Sequence, residues 1–115
     1  MQAVEFFVVK GARYSQERRH QRVPADFPVI LKTDGFRISD RARDVSECGV
    51  GLETTQPLPV MALVGLRLEL PYGGPIDVMG RVMWASPQAM GVRFEQLDER
   101  LSDSVAKLRS EFQRL

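Results

Sequence analysis

The sequence VGLRLEL, Val64 to Leu70, alternates strictly between apolar residues and other residues. Every second position is apolar, and the positions between them hold glycine, arginine and glutamate. Successive side chains of a β-strand point to opposite faces, so this pattern is typical of a strand that is buried on one face and exposed on the other. The stretch therefore predicts one strand of a β-sheet domain.

Five other stretches are short, β-like and separated by glycine or proline. They are FPVILKT (27–33), FRISDRARDV (36–45), GVGLET (49–54), IDVMGRVMWAS (76–86) and AMGVRF (89–94). Gly35 lies between the first two and is suited to a tight turn, so these two are predicted to form a hairpin. The chain is thus predicted to be mainly β, with six antiparallel strands in a small barrel.

The alternation also predicts which side chains point into the barrel. The inward positions are Phe36, Ile38 and Ala42 on the second strand, Ile76, Val78, Val82 and Trp84 on the fifth, and Met90, Val92 and Phe94 on the sixth.

The last part of the sequence has a helical period. Leucine, valine and phenylalanine recur there at spacings of three and four, which predicts a C-terminal helix over residues 98–115 with Asp98 as its N-cap and Glu99 in its first turn. The stripe comprises Leu97, Leu101, Val105, Leu108, Phe112 and Leu115. It would cover the open end of the barrel or pair with a second copy in a homodimer.

The amino-acid composition excludes several classes of function. A chain of 115 residues with 43% hydrophobic content suits one domain with its own core. Its net charge of +1 excludes attraction of the whole surface to nucleic acid or an anionic membrane, so an anion site has to be local. Cys48 is the single cysteine, which excludes an internal disulfide. The sequence has no secretory signal and no apolar run of membrane-spanning length, so we expect a cytoplasmic protein.

The domain organisation follows from these patterns. Residues 1–12 form an N-terminal segment of uncertain structure, and residues 13–115 are expected to form a single domain. Within that domain we expect an arginine-rich arm over residues 13–24, the barrel over residues 25–96 and the helix over residues 98–115.

The arm contains the sequence RYSQERRHQRVP, Arg13 to Pro24, in which Arg18 and Arg22 are four residues apart. A guanidinium group is permanently charged, forks onto phosphate oxygens and stacks on aromatic faces. The pair is therefore suited to a ligand that carries phosphates beside bases. The alternative is a solvated run of charge that binds nothing.

A second motif, DVSECG, lies at the junction of the second and third strands and provides Asp44, Ser46 and Gly49. Aspartate, serine and glycine at such a junction also form ordinary turns. A carboxylate, however, has two adjacent acceptors, and the Watson–Crick edge of guanine has two adjacent donors. Gly49 would leave room for a base to approach closely.

In this order, Arg-x-x-x-Arg and Asp-x-Ser-x-x-Gly resemble the motifs of the PilZ domain family, and the resemblance covers nearly the whole chain. It implies a six-stranded PilZ-type barrel that binds the bacterial second messenger cyclic di-GMP. It further implies that Arg18 and Arg22 contact phosphates and stack on guanine, while Asp44, Ser46 and Gly49 line a guanine-edge pocket. Arg19 and Arg93 are candidates for additional contacts.

A receptor without enzymatic activity fits these features best. His20 is a lone histidine without a second ligand or a nucleophile, and the sequence shows no acidic pair, metal-ligand cluster or glycine-rich phosphate loop. We therefore expect no catalytic residue, metal or cofactor, and a signal passed to an unidentified effector protein. Two alternatives stay open. One is an adaptor that works without nucleotide, and the other is a barrel that binds single-stranded nucleic acid, which the small number of aromatic residues outside core positions disfavours.

Overall fold

The computed structural model describes residues 21–114. The elements are β1 (Val23–Thr33), β2 (Phe36–Ser46), β3 (Gly49–Glu53), β4 (Leu63–Glu69), β5 (Pro75–Ser86), β6 (Ala89–Phe94) and one helix, α1 (Glu99–Gln113). The strands form a closed antiparallel barrel in the order β1-β2-β3-β6-β5-β4. The predicted six-stranded barrel with a C-terminal helix is confirmed. Predictions for Arg18, Arg19, His20, Leu115 and most of the arm lie outside the described residues.

The β1–β2 hairpin forms where the sequence predicts it. Thr33 pairs with Phe36, and the two residues between them form the turn. Gly35 has a φ of +85°, a conformation that glycine adopts without the steric cost of a side chain. This turn fixes the register of the first two strands.

β1 begins at Val23, four residues earlier than the sequence indicates. Pro24 and Pro28 lie inside the strand, and the register with β2 shifts between Pro24 and Phe27. This half of the strand pairs with β2, whereas pairing with β4 starts only at Val29. Proline is tolerated beside a bulge and where the strand lacks a second neighbour, since no ladder hydrogen bond is lost.

The inward faces of the strands form one core. Val29, Leu31, Val50, Leu52 and Leu68 are fully buried there. Most inward positions predicted from the alternation are buried as expected, including those on β6.

Two predicted inward residues are exposed instead. Phe36 is 52% exposed because it lies at the hairpin turn, beyond the packed part of the barrel. Trp84 is 47% exposed, because the register of β5 shifts between Val82 and Trp84 and turns the indole to the outer face. Asp40, which the sequence did not indicate as a core residue, is buried in phase with Ile38, and this burial raises the pKa of its carboxyl.

Helix α1 packs on β1 and β2 and adds Leu101 and Val105 to the barrel core. The Ser104 hydroxyl donates to the Tyr72 carbonyl at 2.6 Å and fixes the helix to the loop before β5. Leu97, the first residue of the predicted stripe, and Phe112, near its other end, are exposed. The helix therefore covers the barrel, while the homodimer seam stays a prediction. No helix within residues 21–114 is long and apolar enough to cross a membrane.

The predicted N-cap is confirmed, because Asp98 Oδ1 accepts from the amides of Leu101 and Arg100 at 3.2 and 2.8 Å. We expect Asp98→Ala to lower the free energy of unfolding by about 0.5–2 kcal/mol, as is usual for a lost cap. The two amides also lower the pKa of the Asp98 carboxyl. Its contribution is therefore present above the ordinary pKa of 3.8 and is lost as the pH falls through the lower folded-state value.

Urea unfolding at pH 7 and at several lower pH values measures both effects. Asp103→Ala is the matched control, since Asp103 is an exposed carboxylate in the body of the same helix. Equal stability of Asp98→Ala and Asp103→Ala would show that the cap contributes nothing.

Candidate functional site

Arg22 and Asp44, which come from the two separate motifs, lie in direct contact. Arg22 immediately precedes β1, and the pairing of Pro24 with Asp44 brings the end of β2 beside it. The Nη2 and Nε atoms of Arg22 each lie 2.6 Å from Asp44 Oδ1. The side chains are 48% and 36% exposed, so both charged groups are accessible from solvent.

Gly51, which lies outside both sequence motifs, makes room for the Asp44 carboxylate. The two residues are cross-strand partners on β2 and β3. A methyl group at Gly51 would lie 2.8 Å from Asp44 Oδ1. The alternation of Gly49 and Gly51 within the third strand was the available signal, since two glycines on one face of a strand often mark a close approach.

Ser46 is fully buried at the end of β2. Its hydroxyl accepts from the Cys48 amide at 3.2 Å and lies 3.3 Å from the Cys48 sulfur. The serine therefore shapes the turn of the second motif and does not face solvent in the structure.

Gly49 packs against the neighbouring strand β6. An added Cβ would lie only 2.7 Å from the Val92 carbonyl oxygen, so strand packing alone requires glycine at this position. Arg93 is its cross-strand partner and is exposed on the outer face, where it lies beside the second motif.

A row of outward-facing positions crosses four neighbouring strands. Asp44 pairs with Gly51, Gly51 with Gly91 and Gly91 with Trp84. A methyl group at Gly91 would overlap the indole of Trp84, so the ring lies over this glycine just as the Asp44 carboxylate lies over Gly51. We call Gly51 and Gly91 the glycine floor. It brings a carboxylate and an aromatic ring close together on one open surface, and the strand shift that places Trp84 there has no sequence signature.

Two grooves lie elsewhere on the barrel. One, of about 610 Å³, is lined by Leu63, Met79 and Leu97 among others. The other, of about 800 Å³, is lined by Asp40 on β2 and Thr54 just after β3, among others. Arg22, Asp44, Ser46 and Gly49, the motif residues within the described part of the chain, line neither groove. Within residues 21–114 no cluster of histidine, cysteine, aspartate and glutamate could bind a metal ion. The outer surface at Asp44 thus presents a cation, a carboxylate and an aromatic ring, contributed by Arg22, Asp44 and Trp84.

Solved structures with the same fold include several bacterial proteins. The inhibitor of motility MotI/DgrA from Bacillus subtilis is similar with a TM-score of 0.71 and 12% identity over 84% of this chain and 52% of that one. The PilZ domain of YcgR from Escherichia coli, determined with cyclic di-GMP, is similar with a TM-score of 0.70 and 17% identity over 86% of this chain and 93% of that one. The PilZ domain of CeSA from a cellulose-synthesizing bacterium is similar with a TM-score of 0.62 and 20% identity over 81% of this chain and 98% of that one.

The chain therefore spans about half the length of MotI/DgrA and nearly all of the two isolated domains. No protein of curated function matches the sequence. A sequence model of the PilZ domain matches residues 16–110. Because this match covers most of the sequence, the chain belongs to the PilZ domain family.

Proposed function

We propose that this domain is a receptor for cyclic di-GMP. The observation that carries the proposal is the contact between Arg22 and Asp44 beside the glycine floor, since it brings a cation for phosphate and a carboxylate for guanine to one surface. Other structures with this fold, those of YcgR and of Borreliella burgdorferi PlzA, were determined in complex with cyclic di-GMP.

Each group at the surface fits one part of such a ligand. Arg22, together with Arg18 from the same motif, would bind phosphate oxygens, and Asp44 would accept from the two adjacent donors of the guanine edge. Trp84 offers an exposed indole face for stacking on the base. Arg93 and Arg19 would add positive charge.

Ser46 and Gly49 would support the site by shaping it. Ser46 bonds within the turn, and Gly49 permits the close approach of β3 and β6. Phosphate and Asp44 compete for the same Arg22 guanidinium, so binding would open the Arg22–Asp44 ion pair. That rearrangement would change the conformation of the arm and pass the signal to an effector protein, with no chemical reaction at the site. We expect this receptor to act in the cytoplasm.

Titration calorimetry of the purified protein with cyclic di-GMP tests the proposal. We expect saturable binding of cyclic di-GMP and no comparable heat with GTP or a short single-stranded oligonucleotide. The fluorescence of Trp84, the only tryptophan, should change along the same isotherm. Heat with the oligonucleotide alone would favour the nucleic-acid-binding alternative. No binding of any nucleotide would leave a nucleotide-independent adaptor.

A further inference from the structure

Arg109 connects the C-terminal helix to both motifs of the candidate site. It lies four residues after the buried Val105 and continues the face of α1 that packs on the barrel. Its Nη1 and Nη2 atoms donate to the two carboxylate oxygens of Glu47 at 2.8 and 2.9 Å. Nη2 also donates to the backbone carbonyl of Gln21.

Both partners of Arg109 lie in or beside the sequence motifs of the candidate site. Glu47 lies between Ser46 and Cys48, inside the Asp-x-Ser-x-x-Gly motif. Gln21 immediately precedes Arg22, the second arginine of the other motif. One guanidinium group on the helix therefore joins the segment that carries Arg22 to the segment that carries Asp44.

The contact differs from the exposed ion pairs of this protein. The side chains of Arg109 and Glu47 are only 23% and 18% exposed, against 73% and 50% for the pair of Arg114 and Glu111. The Nε atom of Arg109 is buried and has no partner among the described residues, so the forked contact has to offset that cost. The hydrogen bond with Glu47 raises the pKa of Arg109, so the guanidinium stays charged.

We propose that Arg109 is a positioning residue for the nucleotide site. It fixes the entry of the arm relative to the turn of the second motif, so that Arg22 and Asp44 stand at a set separation before ligand binds. Fixing both segments in advance lowers the ordering cost of binding. By linkage, a ligand that moves either segment also alters the docking of α1 on the barrel. The inference rests on the proposed function for its effect on affinity.

The first test uses the protein without ligand. In hydrogen exchange, we expect Arg109→Ala to speed exchange of the amides at Arg22 and Cys48 while β4 and β5 are unchanged. Arg114→Ala, which removes an exposed arginine from the end of the same helix, is the matched control and should leave exchange at both positions unaltered. Unchanged exchange at Arg22 and Cys48 in Arg109→Ala would overturn the inference whether or not the protein binds nucleotide.

The second test is a double-mutant cycle on cyclic di-GMP affinity. We expect Arg109→Ala to weaken binding about tenfold in the wild-type background but less than about twofold in the Arg22→Ala background, because the separation of Arg22 from Asp44 that Arg109 sets has no effect on binding once Arg22 is absent. Arg109→Lys keeps the charge without the planar fork and should lie between wild type and Arg109→Ala. Circular dichroism confirms that each variant is folded.

The two proposals fail in different ways. Equal effects of Arg109→Ala in both backgrounds would overturn the positioning role while wild-type binding still supports the receptor. Absence of wild-type binding would remove the receptor proposal, and the exchange experiment alone would then decide whether Arg109 fixes the two segments.

Discussion

Arg22→Ala is expected to weaken cyclic di-GMP binding by at least about tenfold. The guanidinium would supply charge-assisted hydrogen bonds to phosphate, each worth roughly 1.5–3 kcal/mol, and about 1.4 kcal/mol corresponds to a tenfold change in affinity. The same substitution removes the ion pair with Asp44, but exposed pairs contribute only about 0–1 kcal/mol to stability. Binding should therefore be weakened in a protein that remains folded.

Arg41→Ala is the matched control for this experiment. Arg41 lies on β2 and forms an ion pair with Asp26 at 2.6 Å, the same separation as between Arg22 and Asp44, but it lies outside both motifs. Its removal should leave the affinity unchanged in calorimetry. If both variants bind like wild type, Arg22 does not contact the ligand, and if both are weakened equally, the effect is one of general positive charge.

Gly49→Ala is expected to lower the free energy of unfolding by about 1–3 kcal/mol, the usual range for overpacking in a well-packed region. The new methyl group would lie 2.7 Å from the Val92 carbonyl oxygen. That oxygen belongs to the backbone of β6 and cannot rotate away, so the two strands have to separate. Urea unfolding without any nucleotide measures the loss.

Gly65→Ala provides the comparison for Gly49→Ala. Gly65 is also a strand glycine, but a methyl group there would meet its nearest neighbours at 3.7 Å, an ordinary contact distance. We expect its stability to stay close to that of wild type. If Gly49→Ala is as stable as Gly65→Ala, the separation of β3 and β6 does not lower the free energy of unfolding. The reason for glycine at position 49 would then be the room it leaves for a base.

The fold could be predicted from the sequence because strand alternation and helical period are local signals. The buried face can be read from the local pattern alone in the strand Val64 to Leu70. The same is true of the helical stripe that contains Leu101 and Val105. Trp84 could not be placed in this way, because a single shift in the register of β5 reverses its face and depends on pairing with β6. The early start of β1 was missed for a related reason, since Pro24 is tolerated only through its tertiary setting.

The candidate site was only partly predictable. The motifs identified Arg22 and Asp44, which are 22 residues apart and form the contact described above. The spacing of Gly49 and Gly51 in the third strand suggests a close approach, but it does not show which side chains lie above Gly51 and Gly91 on the folded surface. Arg109 contacts Glu47 across 62 residues, and in the sequence it is one of several arginines in an amphipathic helix.

The closure of the sheet determines how other proteins can bind to it. Within residues 21–114, each strand of the ring hydrogen-bonds to a neighbour on both sides over at least part of its length. Many adaptor domains capture an extended peptide by strand addition, which requires an unpaired row of amides and carbonyls at a sheet edge. Along its paired segments this barrel offers no such row. A protein that binds along those segments therefore has to recognise side chains, because it cannot add a strand to the sheet there.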